Sequence, residues 1–235
     1  MSTRSPLMAG LSILITLMIP VLLVLISVRL VMTETYLNLE YNKPDFPPDS
    51  YGFSLADRLY YAPFAVQYLL GSANISYLGN LKFATGETLY TQRELQHMVD
   101  VKNVFQAALG VLEILLVLLI VMLIVMLRRP DGHDAVRRGL FSGGLLTLVI
   151  LVGLVLFVLI NWDTFFTDFH DLFFAEGTWV FDYSDSLIRL FPIRFWQDAV
   201  LTIGGMSTVG AVLIMVGCWW WARRESSVSA YHYAP

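Results

Sequence analysis

Four stretches of this chain are almost wholly apolar: residues 8–31, 104–127, 140–160 and 199–222. A helix needs about 20 such residues to cross a bilayer, and each stretch supplies that many. The pattern therefore predicts an all-α integral membrane protein, a four-transmembrane-helix bundle. Two long polar segments, 33–102 and 162–198, separate the first span from the second and the third from the fourth. They are expected to form a small extracytoplasmic cap on a single membrane domain, residues 1–235. The first stretch is too long for the apolar core of a secretory signal peptide and lacks a small-residue cleavage site, so it reads as a retained anchor. It holds no cysteine, so the protein is not expected to be a lipoprotein itself.

Within the first polar segment Pro44, Pro47 and Pro48 exclude a helix. Ser54 can cap a short helix to about Leu70, kinked at Pro63, and 71–79 reads as turn. Asn74-Ile75-Ser76 matches a glycosylation acceptor, a pattern with meaning only in a eukaryotic secretory pathway. Thr91-Gln92-Arg93-Glu94 is a capping box, with Tyr90 and Leu95 at the staple positions. A helix is predicted to start there and run unbroken into the second span. It carries His97 and Asp100 on one face, about 9 Å and 5 Å above Asn103 at 1.5 Å per residue.

Composition and charge sharpen the picture. Of 235 residues 57% are hydrophobic and 14% charged, with mean hydropathy +0.64; a soluble domain carries about 25% charged residues. A net charge of −4 gives no reason to expect a nucleic-acid partner. The single cysteine, Cys218, excludes an intrachain disulfide. Seven of the fifteen basic residues crowd the short segments: Arg4, Arg128, Arg129, Arg137, Arg138, Arg223 and Arg224, opposed only by Asp131, Asp134 and Glu225. The two long segments hold seven basic against fifteen acidic residues. By the positive-inside rule both termini and the short link are cytoplasmic, and Trp219, Trp220 and Trp221 form an aromatic anchor at the inner interface.

The second polar segment is dense in aromatics, from Trp162 to Trp196, which places it in the interfacial layer rather than free in water. His97 and His170 fall on the same side of the membrane near the same depth. A convergent pair could deprotonate an amine and protonate a leaving alkoxide. Each could instead satisfy a hydrogen bond in a polar cap, or the two could bind metal with nearby carboxylates, although no HExxH-type cluster is present. His133 and His232 read as surface residues. Arg189 and Arg194 can pair with Asp182, Asp185 or Asp198, or hold an anionic head group. Glu113, inside the second span, is a functional candidate or a structural partner of Arg29. Ser207 and Ala211 are candidates for helix packing. No GxSxG elbow, P-loop or dinucleotide fingerprint occurs.

Two blocks carry a resemblance. The first is Glu94-Leu95-Gln96-His97-Met98-Val99-Asp100-Val101-Lys102. The second runs from His170-Asp171-Leu172-Phe173-Phe174 through Gly177-Thr178-Trp179-Val180-Phe181 and Ser186-Leu187-Ile188-Arg189-Leu190-Phe191-Pro192 to Phe195-Trp196. They resemble the hallmarks of the lipoprotein intramolecular transacylases (Lit), four-span proteins of the bacterial cell membrane. The resemblance implies that His97 and His170 are the essential histidines. It implies supporting or substrate-binding roles for Asp100, Lys102, Asp171, Trp179, Asp182, Arg189 and Trp196, with no metal and no cofactor. It further implies a diacylated lipoprotein substrate set in membrane lipid. The sn-2 acyl chain of the diacylglyceryl-cysteine would pass to the cysteine's own α-amino group, leaving a lyso-form lipoprotein. One histidine would take the ammonium proton and the other supply a proton to the sn-2 oxygen, without an acyl-enzyme. The alternative is a non-enzymatic membrane protein whose cap binds a lipid or an assembly partner. Residues 37–80 match neither block.

The charge asymmetry is checked by fusion reporters. A reporter after Arg224 should read cytoplasmic and one inserted near Gly79 external; the reverse pattern would invert the topology.

Overall fold

In a computed structural model, which describes residues 5–232 and side chains as far as Arg224, the chain is helical at every predicted span. Arg4 and the side chains of Glu225 and His232 lie outside the described residues. The elements in order are α1 (Pro6–Val31), α2 (Glu34–Tyr41), α3 (Leu55–Leu70), α4 (Ser76–Gly79), α5 (Gln92–Leu127), α6 (Gly132–Ile160), α7 (Trp162–Phe173), α8 (Ser186–Leu190) and α9 (Ile193–His232). Among the described residues there is no strand, only an isolated antiparallel bridge between Lys82 and Thr88. Helices α1, α5, α6 and α9 are long and apolar enough to cross a membrane. The chain divides into two compact units.

The first unit comprises residues up to Ser27, Val111–Leu156 and Ile203 onward. Small residues on α6 let its neighbours approach closely, as apolar solvent demands when no hydrophobic force pulls helices together. A Cβ on Gly143 would lie 2.7 Å from the Ile19 Cβ of α1, and one on Gly144 would lie 2.8 Å from the Met215 Cγ of α9. The Ser27 and Ser207 hydroxyls meet at 3.1 Å, and Ala211 is fully buried. Both α9 residues therefore serve helix packing, as their sequence context suggested. Glu113 is exposed on α5, and Arg29 donates to the Met32 carbonyl.

The second unit, Val28–Gly110 with Phe157–Thr202, is a helical head. Its core includes Leu37, Ala62, Leu78, Leu89, Met98 and Leu190. Local chemistry sets its element boundaries. Thr33 accepts from the Tyr36 amide and starts α2. Ser54 and Asp57 form a reciprocal capping box that starts α3, and Pro63 is accommodated inside that helix. The proline-bearing stretch between α2 and α3 is not helical, as expected.

Polar ties then fasten the head's pieces. Tyr41 donates to the Leu190 carbonyl at 2.8 Å, joining α2 to α8. Buried Arg58 donates to the carbonyls of Arg189 and Pro47. Lys43 bridges Glu40 and Asp198 at 2.6 and 3.0 Å, and Arg194 pairs with Asp198 and Asp45.

The tie that most directly concerns the site is Glu94. Its Oε2 accepts from the Thr91 amide at 2.6 Å and the Thr91 hydroxyl accepts from the Glu94 amide, completing the predicted capping box. Its Oε1 accepts from the Leu187 amide at 2.7 Å, 93 positions away at the start of α8. Glu94 is fully buried. Removing its carboxylate strands two backbone N–H groups, and an unsatisfied buried donor costs about 1–3 kcal/mol. Glu94→Ala should therefore lower the unfolding temperature in detergent markedly. Glu94→Gln, which keeps one acceptor oxygen, should lose less.

Candidate active site

The helix that Glu94 starts carries His97 one turn later. Because α5 runs unbroken from Gln92 and its apolar run begins only near 104, this turn belongs to the head. His97 is buried, 6% exposed, with the edges of Phe174 and Phe181 against it at 4.9 and 5.3 Å between ring centroids. Its Nδ1 has no hydrogen-bond partner among the described residues. Burial, and then the neighbouring His170, push its pKa down to about 4, against a smaller upward pull from Asp100. The ring is neutral at physiological pH.

His170 comes from α7. The Phe166 ring lies 4.1 Å and the Trp179 ring 4.7 Å from it. Its Nδ1 is 2.7 Å from the Phe166 carbonyl oxygen. A carbonyl only accepts, so Nδ1 carries the hydrogen and Nε2 is left as the acceptor. Burial pulls its pKa down, and the Phe166 carbonyl and Asp171 pull the other way. Trp179 is itself held, its indole N–H donating to Asp171 at 3.1 Å.

The two imidazoles stand 6.4 Å apart between centroids, with planes 23° from parallel. That is too far for stacking contact and near enough for both to reach one group of a substrate. Five aromatic rings, those of Phe166, Phe169, Phe174, Trp179 and Phe181, border the pair, so its surroundings are low-dielectric rather than a carboxylate cluster. No group of three or more His, Cys, Asp or Glu converges among the described residues to hold a metal ion.

With this geometry in hand, likeness to known proteins becomes informative. The family model described as lipoprotein intramolecular transacylase Lit matches residues 13–196. The chain belongs to the Lit family. It is, by that membership, an acyltransferase, which replaces the non-enzymatic alternative. An uncharacterized protein of Aquifex aeolicus (strain VF5) is 27% identical over 207 residues, covering 87% of this chain and 91% of its own. The solved structure of the membrane-integral lipoprotein intramolecular transacylase Lit from Bacillus cereus shares the fold at a TM-score of 0.79 and 20% identity, over 94% of this chain and 98% of that one. A histidine-to-alanine form of the same protein matches at a TM-score of 0.71 and 19% identity, over 94% and 96%. The all-helical, multi-pass membrane architecture read from the apolar runs is thus shared with experimentally determined structures.

Not every residue of the two Lit-like blocks lies at the histidines. His97, His170, Asp171 and Trp179 come together, and Asp100 acts on His97 through its charge. Lys102 points elsewhere: its ammonium donates to the Ala73 carbonyl at 2.6 Å and lies over the Tyr68 ring. Arg189 donates to Asp49 and to the Tyr51 carbonyl and covers the Phe53 ring at 3.8 Å, which makes it an internal strut. Trp196 packs on Phe191 and Phe195. Asp182 is largely exposed and reaches Arg93 only at 3.8 Å. Arg93 pairs with Asp185 at 3.0 Å and covers Phe181, which also contacts His97. Sequence reasoning gave Arg93 no role beyond the capping box and did not single out Phe166, Phe174 and Phe181. The position of Arg93 four residues before His97, on the same helix face, was the available signal.

Keeping His97 neutral links folding to pH. An unfolded histidine titrates near 6.5, so the depressed folded value favours the native state fully above that pH. This contribution is lost as pH falls from about 6.5 through about 4. Unfolding temperatures measured across that window should fall less steeply for His97→Gln than for the unaltered protein.

Proposed function

We propose that this protein transfers the sn-2 acyl chain of a diacylglyceryl-cysteine lipoprotein to the α-amino group of the same cysteine, on the extracytoplasmic side of a bacterial cell membrane. The observation that carries the reading is the His97–His170 pair, 6.4 Å apart and bordered by aromatic rings, in a chain of the Lit family.

The chemistry needs two proton movements and no nucleophile from the protein. Amine and ester belong to one molecule, so the site has only to fold the substrate into a reactive approach. The amine nitrogen attacks the sn-2 carbonyl carbon while His170 Nε2, the free acceptor of that ring, takes a proton from the nitrogen. Collapse of the tetrahedral intermediate breaks the carbonyl carbon–oxygen bond, and the departing glyceryl oxygen receives a proton at the pair. His97, whose buried Nδ1 has no hydrogen-bond partner among the described residues, is the other group available for that exchange. The net result is one ester bond exchanged for one amide bond and one hydroxyl. Asp100 and Asp171 bias each histidine toward accepting a proton when the positive charge arrives.

Expression in a host that makes diacylated lipoproteins should yield N-acylated lipopeptides that keep one glyceryl ester, detectable by mass spectrometry. His97→Ala and His170→Ala should each abolish the product, and the double variant should be little worse than either single one, because residues acting as a unit are non-additive. Unchanged diacylglyceryl peptides at good expression would defeat the proposal, and multiplicative partial losses would defeat the paired shuttle.

A further inference from the structure

Helix α7, which brings His170 to the site, has no buried residue along its length. At about 100° per residue, its apolar side chains Trp162, Phe165, Phe166, Phe169, Leu172 and Phe173 fall within an arc of about 120°. Asp163, Thr164, Thr167, Asp168 and Asp171 occupy an arc of about 140° on the opposite side. His170 lies between the two arcs, about 40° from Phe166 and about 20° from Asp163. The apolar arc is only partly covered: Phe169, Leu172 and Phe173 are 47%, 75% and 43% exposed.

Continuity says what covers it. Helix α6 ends at Ile160, 82% exposed in the membrane-length run, and α7 begins two positions later at Trp162. Phe157 of α6 touches Phe165 of α7 at 6.3 Å between centroids. The apolar face of α7 thus begins where the lipid-facing surface of a span stops. Its side chains are mostly aromatic, the type that collects at the edge of the hydrocarbon.

We infer that α7 lies in the plane of the membrane with Phe165, Phe169, Leu172 and Phe173 in the lipid of one leaflet and its aspartates toward water. A helix so placed sinks about 5–10 Å into the boundary between head groups and acyl chains. The edge between its two faces then marks that boundary, and His170 sits on the edge. Glycerol ester bonds lie at the same level. Resting on the transacylase reading, the inference deepens it: α7 sets the depth of reaction, and the substrate reaches the histidines sideways from the leaflet. A diacyl substrate held in a bilayer is therefore favoured over one dispersed in water.

The test places single cysteines in the full-length protein with Cys218→Ala, attaches nitroxides and reconstitutes it into phosphatidylethanolamine–phosphatidylglycerol vesicles. Labels at Leu172→Cys and Phe169→Cys should collide with oxygen more than with a water-soluble nickel chelate, and a label at Thr167→Cys should show the reverse. A water-exposed Leu172 label, or one shielded from both reagents as under a partner protein, would overturn the inference. Leu172→Asp should cut transfer from vesicle-embedded lipoprotein by about tenfold, while Thr167→Asp should change it less than about twofold. Equal effects at the two positions would overturn the functional part. The collision pattern decides the placement of α7 without reference to turnover, so failure of the unlabelled protein to transfer any acyl chain would count against the transacylase reading alone.

Discussion

The arrangement at the histidines depends on one buried carboxylate. Glu94 accepts backbone hydrogen bonds from Thr91 and Leu187, so a single side chain both begins α5 and fastens it to α8. Burial raises its pKa, and the two amides and the Thr91 hydroxyl oppose that rise. The tie matters because His97 follows one turn later, and because the Phe181 wall against His97 lies just before α8. Arg93 adds an ion pair to Asp185 from the adjacent position. Two successive residues of α5 therefore hold the segment 181–187 from which part of the pocket is built. A side chain on a helix held at its first turn has few ways to drift, which suits the proton transfer proposed for His97.

The environment of the histidines is apolar by construction, and this decides their charge. Two imidazoles near one another, both desolvated, are held neutral because a charge on either would be costly in that surrounding and would repel a charge on the other. The carboxylates that soften this effect, Asp100 and Asp171, sit at the margin; Asp171 is occupied with Trp179 and Asp100 with Gln96. Apart from the Arg93–Asp185 pair, the charged ties of the head are collected elsewhere, around Lys43 and Asp198 and around Arg189 and Asp49. Those struts stand apart from the candidate chemistry, so a proton can move at the histidines without loosening them.

Much of this was legible in the sequence, for identifiable reasons. The spans are long apolar runs, the least ambiguous pattern a chain can carry. The start of α5 was marked by a capping box, a local motif whose partners are three residues apart. Helix α3 was likewise marked by Ser54. Helices α7 and α8 were not anticipated, although the apolar positions of α7 follow a helical period. In the sequence its Phe and Trp residues read as interfacial density alone, since aromatic residues suit strands and belts as well as helices. Helix α2, eight residues long, offers too few turns for a period to show. For site residues, geometry already available separates Lys102 from His97: five positions put them about 140° apart around a helix. Arg189 is a different case. Its partner Asp49 lies 140 positions away, in a segment for which neither motif block made any provision, and no local pattern announces such a pair.

The aromatic lining has a chemical consequence that a polar lining would not. An ester activated for attack by an amine is also open to attack by water, and the two outcomes differ only in which nucleophile occupies the approach. Phe166, Phe174, Trp179 and Phe181 around the imidazoles leave little polar surface on which water can be ordered. In the proposed reaction the amine, by contrast, would be delivered on the same molecule as the ester and would lose no translational freedom in reaching it. Exclusion of water and internal delivery of the nucleophile therefore act in the same direction. In the proposed reaction they would together favour transfer over hydrolysis, with the two titratable rings neutral until the substrate's amine gives up its proton.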